Sequence, residues 1–297
     1  MSACSLRKRT SLTIVAHKVS KTGSHTPSGT LQRARGKGGI ATQQRDGTTR
    51  LATLYQDGCA KIRLPNTHSA ALEAVLINTA GGLTGGDCMQ WSADVAAAGR
   101  MVLTTQACER IYRSIGGAAT VETRLSVGPN AHLDWLPQET ILFAASRLDR
   151  RIEIDLAEGA SLTAVEAILL GRDAMGEVAL DARLLDNWRV RRHGRLIHAE
   201  ATRLDGTAAE REGLSLLAGR RALATILHVA PSADQCIATL NRLRQLLPAD
   251  ERIAASASGE RLVIRALAQT GLALRRLIVP ILAELTDAGS LPRLWQL

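Results

Sequence analysis

Carboxylates next to glycines and turns are the side chains of this sequence best suited to contact a metal ion. They are Asp87, Glu139, Glu166, Asp173 and Glu177, and none stands on an evident solvent-facing run. Oxygen ligands hold a divalent transition metal more weakly than clusters of thiolate or imidazole do. Such a set is suited to passing a metal ion on, and the alternative for each acid is a surface or turn-capping role.

Sequence motifs for nucleophilic catalysis or zinc binding are not found. The sequence has no G-x-S-x-G and no H-E-x-x-H, and His193 and His198 are poorly spaced to share one metal ion. Cys108, Glu109 and Arg110 could form a nucleophile beside a base. A small thiol buried at a strand end is the more frequent arrangement for such a cysteine.

A glycine-rich segment, N-T-A-G-G-L-T-G-G-D, spans Asn78–Asp87 between two predicted strands. Paired glycines allow backbone conformations closed to other residues and let a ligand or another chain approach closely. No Gly-Lys-Ser/Thr follows, and the next element is a predicted strand, which excludes a phosphate loop and a dinucleotide fingerprint. The segment is therefore predicted to be a tight connection between strands.

The elements that must position these residues are mostly short strands, since apolar runs broken by Gly, Pro, Asn and Asp extend from Leu51 to about Ala230. The predicted strands are Ala71–Asn78, Met89–Ala96, Met101–Gln106, Thr120–Val127, Ala131–Leu136, Arg151–Leu156, Ser161–Leu170 and Glu177–Leu185. Trp188–Arg191 and Arg195–His198 form a predicted hairpin with Gly194 in its turn. Many short strands at this spacing indicate a mainly β fold.

Two α-helices are predicted in the C-terminal third. The first begins after Ser232, which has capping-box spacing to Gln235, and ends at Pro248. Its apolar face is predicted to consist of Ile237, Leu240, Leu243 and Leu247. The second helix is Gly271–Leu285, which Pro280 is predicted to kink or shorten.

A faint internal repeat suggests how the strands are layered. Gly99–Gln106, Asn130–Glu139 and Gly159–Glu166 align as a turn followed by a strand, with offsets of 31 and 29 residues. Repeats of this length are typical of stacked sheet layers, as in a β-solenoid, although chance similarity among β-turns remains the alternative. If the strands stack, Gln106, Gln138 or Glu139, and Glu166 end at a similar height and form a polar column.

The charge is concentrated at the N-terminus. The chain of 297 residues has 37 Lys+Arg and 28 Asp+Glu, a net charge of +9. Residues 1–50 have ten basic residues and one acid, so the excess lies there and the body is neutral. Residues 1–30 are predicted to be a mobile basic arm and residues 31–297 one β-rich domain. A neutral body with four Trp, two Tyr and one Phe does not favour nucleic-acid binding.

The spacing of the cysteines and the lack of long apolar stretches indicate the cellular compartment in which the protein is expected. The five cysteines include no C-x-x-C pair, which argues against a disulfide framework and a structural zinc site. No stretch approaches the roughly 18–20 apolar residues that span a bilayer. We expect a cytoplasmic protein that does not bind a membrane.

Five segments, in this order along the chain, resemble a known family. They are Leu76–Asp87, Thr104–Ala107 with Ile111–Ser114, Asp134–Thr140, Gly171–Glu177 and Leu291–Trp295. Together they resemble the UreD family of urease accessory proteins, called UreH in some bacteria, from about residue 31 to 297. The motif positions singled out are Gly81, Gly82, Gly85, Gly86, Gln106, Tyr112, Arg113, Trp135, Gln138, Gly176 and Trp295.

The resemblance implies a non-enzymatic, chaperone-like scaffold required for loading nickel into the urease active site. Family members bind UreF, through it the GTPase UreG, and the urease apoprotein. Their fold is β-rich with two helices, and an internal polar tunnel for nickel has been proposed for them. The predicted nickel contacts are therefore Asp87, Glu139, Glu166 and Glu177. Nickel would be transient cargo, with no tightly bound cofactor.

Two departures from the family pattern accompany the resemblance. Phe143 is followed by Ala144, where family members often have Asp or Asn, and Cys88 replaces a common polar residue. Two alternative functions stay open. One is a metal-dependent enzyme on the same β fold, and the other is a nucleic-acid-binding protein that uses the basic arm.

Overall fold

A computed structural model of the chain describes residues 32–67, 69–172, 175–249, 252–286 and 291–296. The predicted basic arm, residues 1–30, and the carboxylate of Asp173 lie outside the described residues. Residues Arg33–Leu297 belong to one structural unit. No helix in the described ranges is both long enough and apolar enough to span a bilayer.

Two β-sheets make up most of this unit. The seven-stranded sheet has the order β14 (Arg195–Leu204), β13 (Arg183–Arg192), β11 (Arg147–Leu156), β8 (Ala119–Val127), β5 (Cys88–Val95), β1 (Arg35–Arg45) and β2 (Thr48–Gly58). The ten-stranded sheet has the order β16 (Arg252–Ser258), β17 (Arg261–Ala268), β15 (Ala222–Val229), β12 (Ser161–Leu170), β9 (His132–Leu136), β6 (Arg100–Thr105), β4 (Leu72–Asn78) and β3 (Ala60–Arg63), and β10 (Thr140–Leu142) and β7 (Glu109–Ile111) extend it beside β12.

The repeat in the sequence corresponds to a rung of the solenoid. In each rung a strand of the seven-stranded sheet turns into a strand of the ten-stranded sheet, as in β5–β6, β8–β9 and β11–β12. Strands of successive rungs pair in parallel in both sheets. Arg100 pairs with His132 and His132 with Ser161, so the offsets are 32 and 29 residues. The solenoid-like, mainly β prediction is confirmed, with one repeat offset wrong by one residue.

The main core lies between the sheets because each strand alternates in polarity. In β11, with sequence RLDRRIEIDL, every second side chain is buried and the others are more exposed. A second core lies on the outer face of the ten-stranded sheet, where Leu136 and Val165 pack with residues of the C-terminal helices. The ten-stranded sheet is therefore covered on both faces in this region.

Three α-helices occur among the described residues: α1 (Ala208–Glu212), α2 (Ala233–Arg244) and α3 (Gly271–Leu285). Ser232 caps α2 by accepting a hydrogen bond from the Gln235 N–H, as predicted. The helix ends at Arg244, before the predicted Pro248, and Cys236 is buried instead of Ile237. A stripe at positions 236, 240 and 243 has the i, i+4, i+7 spacing of a helix face.

Helix α3 has its predicted bounds and contains Pro280 without being shortened. Thr270 caps it through the Ala273 N–H. A 3-10 turn, Arg293–Trp295, follows near the C-terminus. The short helix α1 was not predicted from the sequence.

Seven of the eight predicted strands match observed strands over most of their length, the eighth overlaps one only at its last three residues, and the predicted hairpin matches as well. The strand predicted at Glu177–Leu185 is wrong, because the strand begins only at Arg183. The preceding backbone forms turns instead, with the Ala145 N–H donating to the Leu180 carbonyl at 2.7 Å. Strands β1 and β2 were missed, since their glycines and polar residues hide the pattern.

Candidate functional site

Three charged side chains meet in the core between the sheets. Arg150 of β11 donates to both carboxylate oxygens of Asp186 of β13, at 3.0 and 2.7 Å, and also to Glu166 of β12. Two tryptophans complete the cluster: Trp135 Nε1 donates to Glu166 at 3.0 Å, and Trp188 Nε1 donates to Asp186 at 3.2 Å. The hydrogen bonds satisfy charges that burial would otherwise penalise.

The cluster contains two carboxylates and one guanidinium, so its charges do not cancel when both acids are ionised. Burial raises the pKa of Glu166, Arg150 opposes this effect, and the neighbouring Asp186 raises the pKa further. Glu166 therefore retains a proton more readily than an exposed glutamate does.

A small cavity of about 50 Å³ adjoins this cluster. Its polar lining includes Thr105, Thr123, Thr140, Gln138, Glu109, Arg150 and Glu166. An outer cleft of about 160 Å³ shares Trp91, Thr105 and Glu109 with it. We call the two together the passage. Its lining residues range from the exposed Gly81 and Gln106 of the outer cleft to the buried Glu166 in the core.

Glu109 lies where the two parts of the passage meet. Its carboxylate accepts hydrogen bonds from Asn78 Nδ2 at 3.1 and 3.2 Å. Burial raises the pKa of Glu109 to about 7, although Asn78 favours the ionised form. Near neutral pH this carboxyl group can therefore gain or lose a proton, and it makes no ion pair with a described residue.

The outer cleft is lined by Gly81, Gln106 and Cys108, among others. Cys108 Sγ donates to Glu139 Oε2 at 3.3 Å. Burial and the negative charge of Glu139 raise the pKa of the Cys108 thiol to about 11. The thiol is therefore protonated at neutral pH, and the arrangement does not activate Cys108 as a nucleophile.

Glu139 and its neighbour Gln138 both contact helix α3. Arg275 Nε donates to Glu139 at 2.6 Å, Arg275 Nη2 donates to Gln138, and the guanidinium lies 5.1 Å from the centre of the Trp295 ring. Burial alone would raise the pKa of Glu139, but the hydrogen bond and charge of Arg275 lower it. Trp295 is fully buried and donates to the Leu136 carbonyl at 2.9 Å.

The structure does not bring Glu139 and Glu166 into one column. Ala164 pairs with Trp135, which places Glu166 level with Pro137 rather than with Glu139. Glu166 reaches Arg150 between the sheets, whereas Glu139 reaches Arg275 on the helix-covered side. Glu139 lies two residues beyond that level and past the end of β9 at Leu136, so the alternation of the strand no longer determines which side it faces.

The other two predicted nickel contacts have structural partners of their own. Asp87 accepts from the backbone N–H groups of Ala34 and Thr84, both at 2.8 Å. Glu177 accepts from Arg172 Nε at 2.5 Å. Burial raises the pKa of Glu177, but the hydrogen bonds from Arg172 and the Ala144 N–H, together with the charge of Arg172, lower it overall. In the described ranges no three His, Cys, Asp or Glu side chains are grouped to hold a metal ion.

The glycine-rich segment is a tight connection beside the outer cleft, as predicted. Gly82 has φ +145°, and a Cβ there would lie 2.4 Å from Tyr112 Cε2. A Cβ at Gly85 would lie 2.1 Å from Ser114 Oγ, and Gly86 has φ +89°. The Tyr112 hydroxyl donates to the Gly81 carbonyl at 3.1 Å, which ties the next loop to this segment.

The remaining motif residues lie in neighbouring loops. The Gln106 N–H donates to the Leu76 carbonyl at 2.9 Å, and the Arg113 carbonyl accepts from the Thr84 hydroxyl at 2.8 Å. Gly176 has φ +62° in a turn.

Arg150, Asp186 and the position of Glu109 were missed in the sequence, although a signal exists for two of them. Arg150 occupies an apolar-face position of β11, between Leu148 and Ile152, and Asp186 does the same in β13. A charge on an otherwise apolar strand face predicts a buried polar contact. The predicted strand started at Arg151, and Arg150 was left outside it.

Comparison with known proteins links nearly the whole chain to one family. The family model for the UreD urease accessory protein matches residues 34–296. A protein named urease accessory protein UreD from Chelativorans sp. (strain BNC1) is 58% identical over 267 residues, which cover 90% of this chain and 95% of the relative. Proteins of the same name from Rhizobium etli and Agrobacterium fabrum are 49% and 47% identical over 267 residues, covering 90% of this chain and 96% and 92% of the relatives.

Proposed function

The chain belongs to the UreD family of urease accessory proteins, and we propose that within urease maturation it is a non-enzymatic scaffold for nickel insertion. The family match supports the maturation role, because it covers residues 34–296. The proposed site of action is the cytoplasm. The proposed partners are the urease apoprotein, UreF and, through UreF, UreG, as the family resemblance implies.

The passage is the observation that supports a direct part in nickel transfer. It contains two carboxyl groups, the half-buried Glu109 and the buried Glu166, whose pKa values are raised by burial. Carboxylate oxygens are weak ligands for a divalent transition metal compared with thiolate or imidazole clusters. We propose that nickel contacts them transiently as cargo and exchanges with the protons they carry.

Glu109 is the central residue of this proposal. It borders both the outer cleft and the inner cavity, so a metal ion moving inward would meet it. It makes no ion pair with a described residue, although the backbone and the charge of neighbouring Arg110 favour its ionised form. Glu139, Glu166 and Glu177 each contact an arginine side chain instead. Among these carboxylates, Glu109 is therefore the one whose oxygens are not already held in an ion pair with a described arginine.

The proposed function is tested by reconstituting urease activation from purified proteins. The full chain, UreF, UreG and the urease apoprotein from one source are mixed with nickel and GTP, with and without the chain. The proposal predicts a stable complex that contains this chain and a loss of activation when the chain is omitted. Unchanged activation without the chain, with no complex formed, would contradict it.

A further inference from the structure

One end of the solenoid is built from the loops that connect the ten-stranded sheet back to the seven-stranded sheet. We call it the loop end, and its segments are 78–87, 106–118, 137–146 and 175–182. Besides Met175 at 71%, four large apolar side chains are exposed there: Tyr112 at 38%, Ile115 at 80%, Val178 at 41% and Leu180 at 52%. Apolar side chains grouped on a surface often mark a site of protein contact.

Backbone hydrogen bonds hold these loops next to one another. The Ser114 N–H donates to the Ala145 carbonyl at 3.0 Å, and the Ala145 N–H donates to the Leu180 carbonyl at 2.7 Å. The rings of Tyr112 and Phe143 are in edge contact, with centres 5.1 Å apart. The exposed apolar residues therefore sit on loops that share one interlocked framework.

Three arginines border these apolar residues around Ser146. Arg113 forms a β-bridge with Ser146, Arg147 follows Ser146, and the Arg183 N–H donates to the Ser146 carbonyl at 2.8 Å. Arg147 and Arg183 are also paired in the register of β11 and β13. All three arginines are exposed, and none forms an ion pair with a described residue.

No described aspartate or glutamate forms an ion pair with any of these three arginines, so their positive charges are not balanced by a direct contact. Like charges on adjacent strands repel, and a ligand with negative charge would relieve that repulsion. Arg172, which precedes the last of these segments, differs from the three because it forms an ion pair with Glu177.

We propose that the loop end binds a protein partner whose contact surface has apolar side chains bordered by aspartate or glutamate. Ile115, Val178 and Leu180 would pack on the apolar side chains, and Arg113, Arg147 and Arg183 would pair with the acids. The proposal rests on the scaffold function above and assigns the partner contact to this surface. The passage opens at the same end, since Gly81 lines the outer cleft and binds the Tyr112 hydroxyl.

A protein partner fits this surface better than a nucleic acid does. Phosphate contacts would use the arginines but leave Ile115, Val178 and Leu180 exposed to water. Single-stranded nucleic acid is bound mainly through aromatic stacking, and Tyr112 is the one exposed aromatic side chain among these four apolar residues. An apolar protein surface bordered by acidic residues would contact both the exposed apolar side chains and the exposed arginines of the loop end.

The test uses two loop-end variants of the full chain: Ile115→Asp, and the double variant Arg147→Glu with Arg183→Glu. Matched controls are Leu196→Asp and Arg195→Glu, which are exposed in the hairpin at the opposite end of the solenoid. Binding to UreF and to the urease apoprotein is measured separately by titration calorimetry at low and high salt. Circular dichroism confirms that each variant is folded.

The proposal predicts that both loop-end variants weaken binding to the same partner by about tenfold or more, while the controls do not. It also predicts that wild-type affinity for that partner falls with salt. It is overturned if both partners bind the loop-end variants like wild type, if the controls lose as much affinity, or if the surface binds nucleic acid instead.

The outcome is separable from that of the scaffold function. Urease activation that needs this chain but tolerates the loop-end variants would overturn the surface assignment and leave the scaffold function intact. Activation that does not need the chain at all would overturn the scaffold function itself.

Discussion

At the scale of single residues, Glu109 is distinguished by a pKa that burial raises and by the lack of an ion pair with a described residue. Its raised pKa, about 7, means that the folded chain binds this proton more tightly than the unfolded chain does. The associated stability is fully present below the ordinary value of 4.5 and is lost as the pH rises through 7. Ionisation of Glu109 therefore costs folding free energy as the pH rises through about 7.

The variant Glu109→Gln tests whether ionisation of Glu109 lowers the stability of the folded chain as the pH rises. Because glutamine does not ionise, the variant gains stability relative to wild type as the pH rises from 5 to 8, by up to roughly 3 kcal/mol. Urea unfolding at the two pH values measures the difference. Glu158→Gln, at an exposed position, is the control. A difference that is the same at both pH values would show that Glu109 does not titrate as described.

Arg150 is the only cation that contacts Glu166 and Asp186 among the described residues. The variant Arg150→Met leaves two buried carboxylates without their partner and should lower the free energy of unfolding by roughly 3–5 kcal/mol. The loss should be smaller at pH 5 than at pH 8, because protonation of Glu166, whose pKa is raised by burial, relieves it.

Chemical unfolding of Arg150→Met at both pH values measures this loss. Arg151→Met is the matched control, since Arg151 is the next residue of the same strand and is exposed. Equal stability of the two variants would mean that the buried cluster does not depend on the shared arginine.

At the scale of elements, Arg275 connects helix α3 to the loop after β9. Its partner Glu139 is almost fully buried, with 3% of its side chain exposed. The variant Arg275→Met should destabilise the chain by about 3 kcal/mol. The pair's contribution is present above the ordinary glutamate pKa and is lost as the pH falls, because Arg275 lowers the pKa of Glu139.

Thermal unfolding at pH 7 and pH 4 measures this effect. Arg276→Met is the control, because Arg276 is exposed on the same helix. A destabilisation by Arg275→Met no greater than that of the control at pH 7 would contradict the anchoring role.

The glycine-rich connection is the second element with a specific test. The variant Gly82→Ala should cost roughly 1–3 kcal/mol, because φ is +145° and the added Cβ would lie 2.8 Å from the Arg110 carbonyl oxygen. Gly116→Ala is the control, since no atom lies within 4 Å of its added Cβ. Urea midpoints measure both variants, and equal midpoints would contradict a steric need for glycine at position 82.

The elements were predictable from the sequence to the extent that their own residues carry a pattern. The alternation of β11 and the cap at Ser232 are local signals, and both predictions are confirmed. The burial of β1 alternates, but glycines occupy two of its buried positions, so its residue types do not show the alternation. Much of β2 is exposed and lacks an apolar face. The two strands are held by pairing with each other and with β5, which a local pattern does not reveal.

The passage was less predictable than the strands for the same physical reason. Glu109, Arg150 and Glu166 come together only through the stacking of rungs, and a register error of one residue moves a side chain to the other face. The polar column predicted from the repeat placed Glu139 with Glu166, and the observed register separates them. Charges on apolar strand faces were the usable signal.

At the scale of the whole molecule, the solenoid places three features at one end. The glycine-rich connection, the outer cleft and the exposed arginines of the loop end all lie in or next to the loops that connect the ten-stranded sheet back to the seven-stranded sheet. A partner bound at the loop end would therefore lie close to Glu109. This arrangement suits a scaffold that positions a metal ion relative to another protein.

The most direct test of a nickel role for the passage is the nickel bound to urease after maturation with Glu109→Gln in place of wild-type chain. Complex formation is measured in the same reaction, and Glu158→Gln is the control. The account predicts that Glu109→Gln forms the complex but yields urease with less nickel, while the control yields the wild-type content. Full nickel content with Glu109→Gln would contradict transfer through the passage.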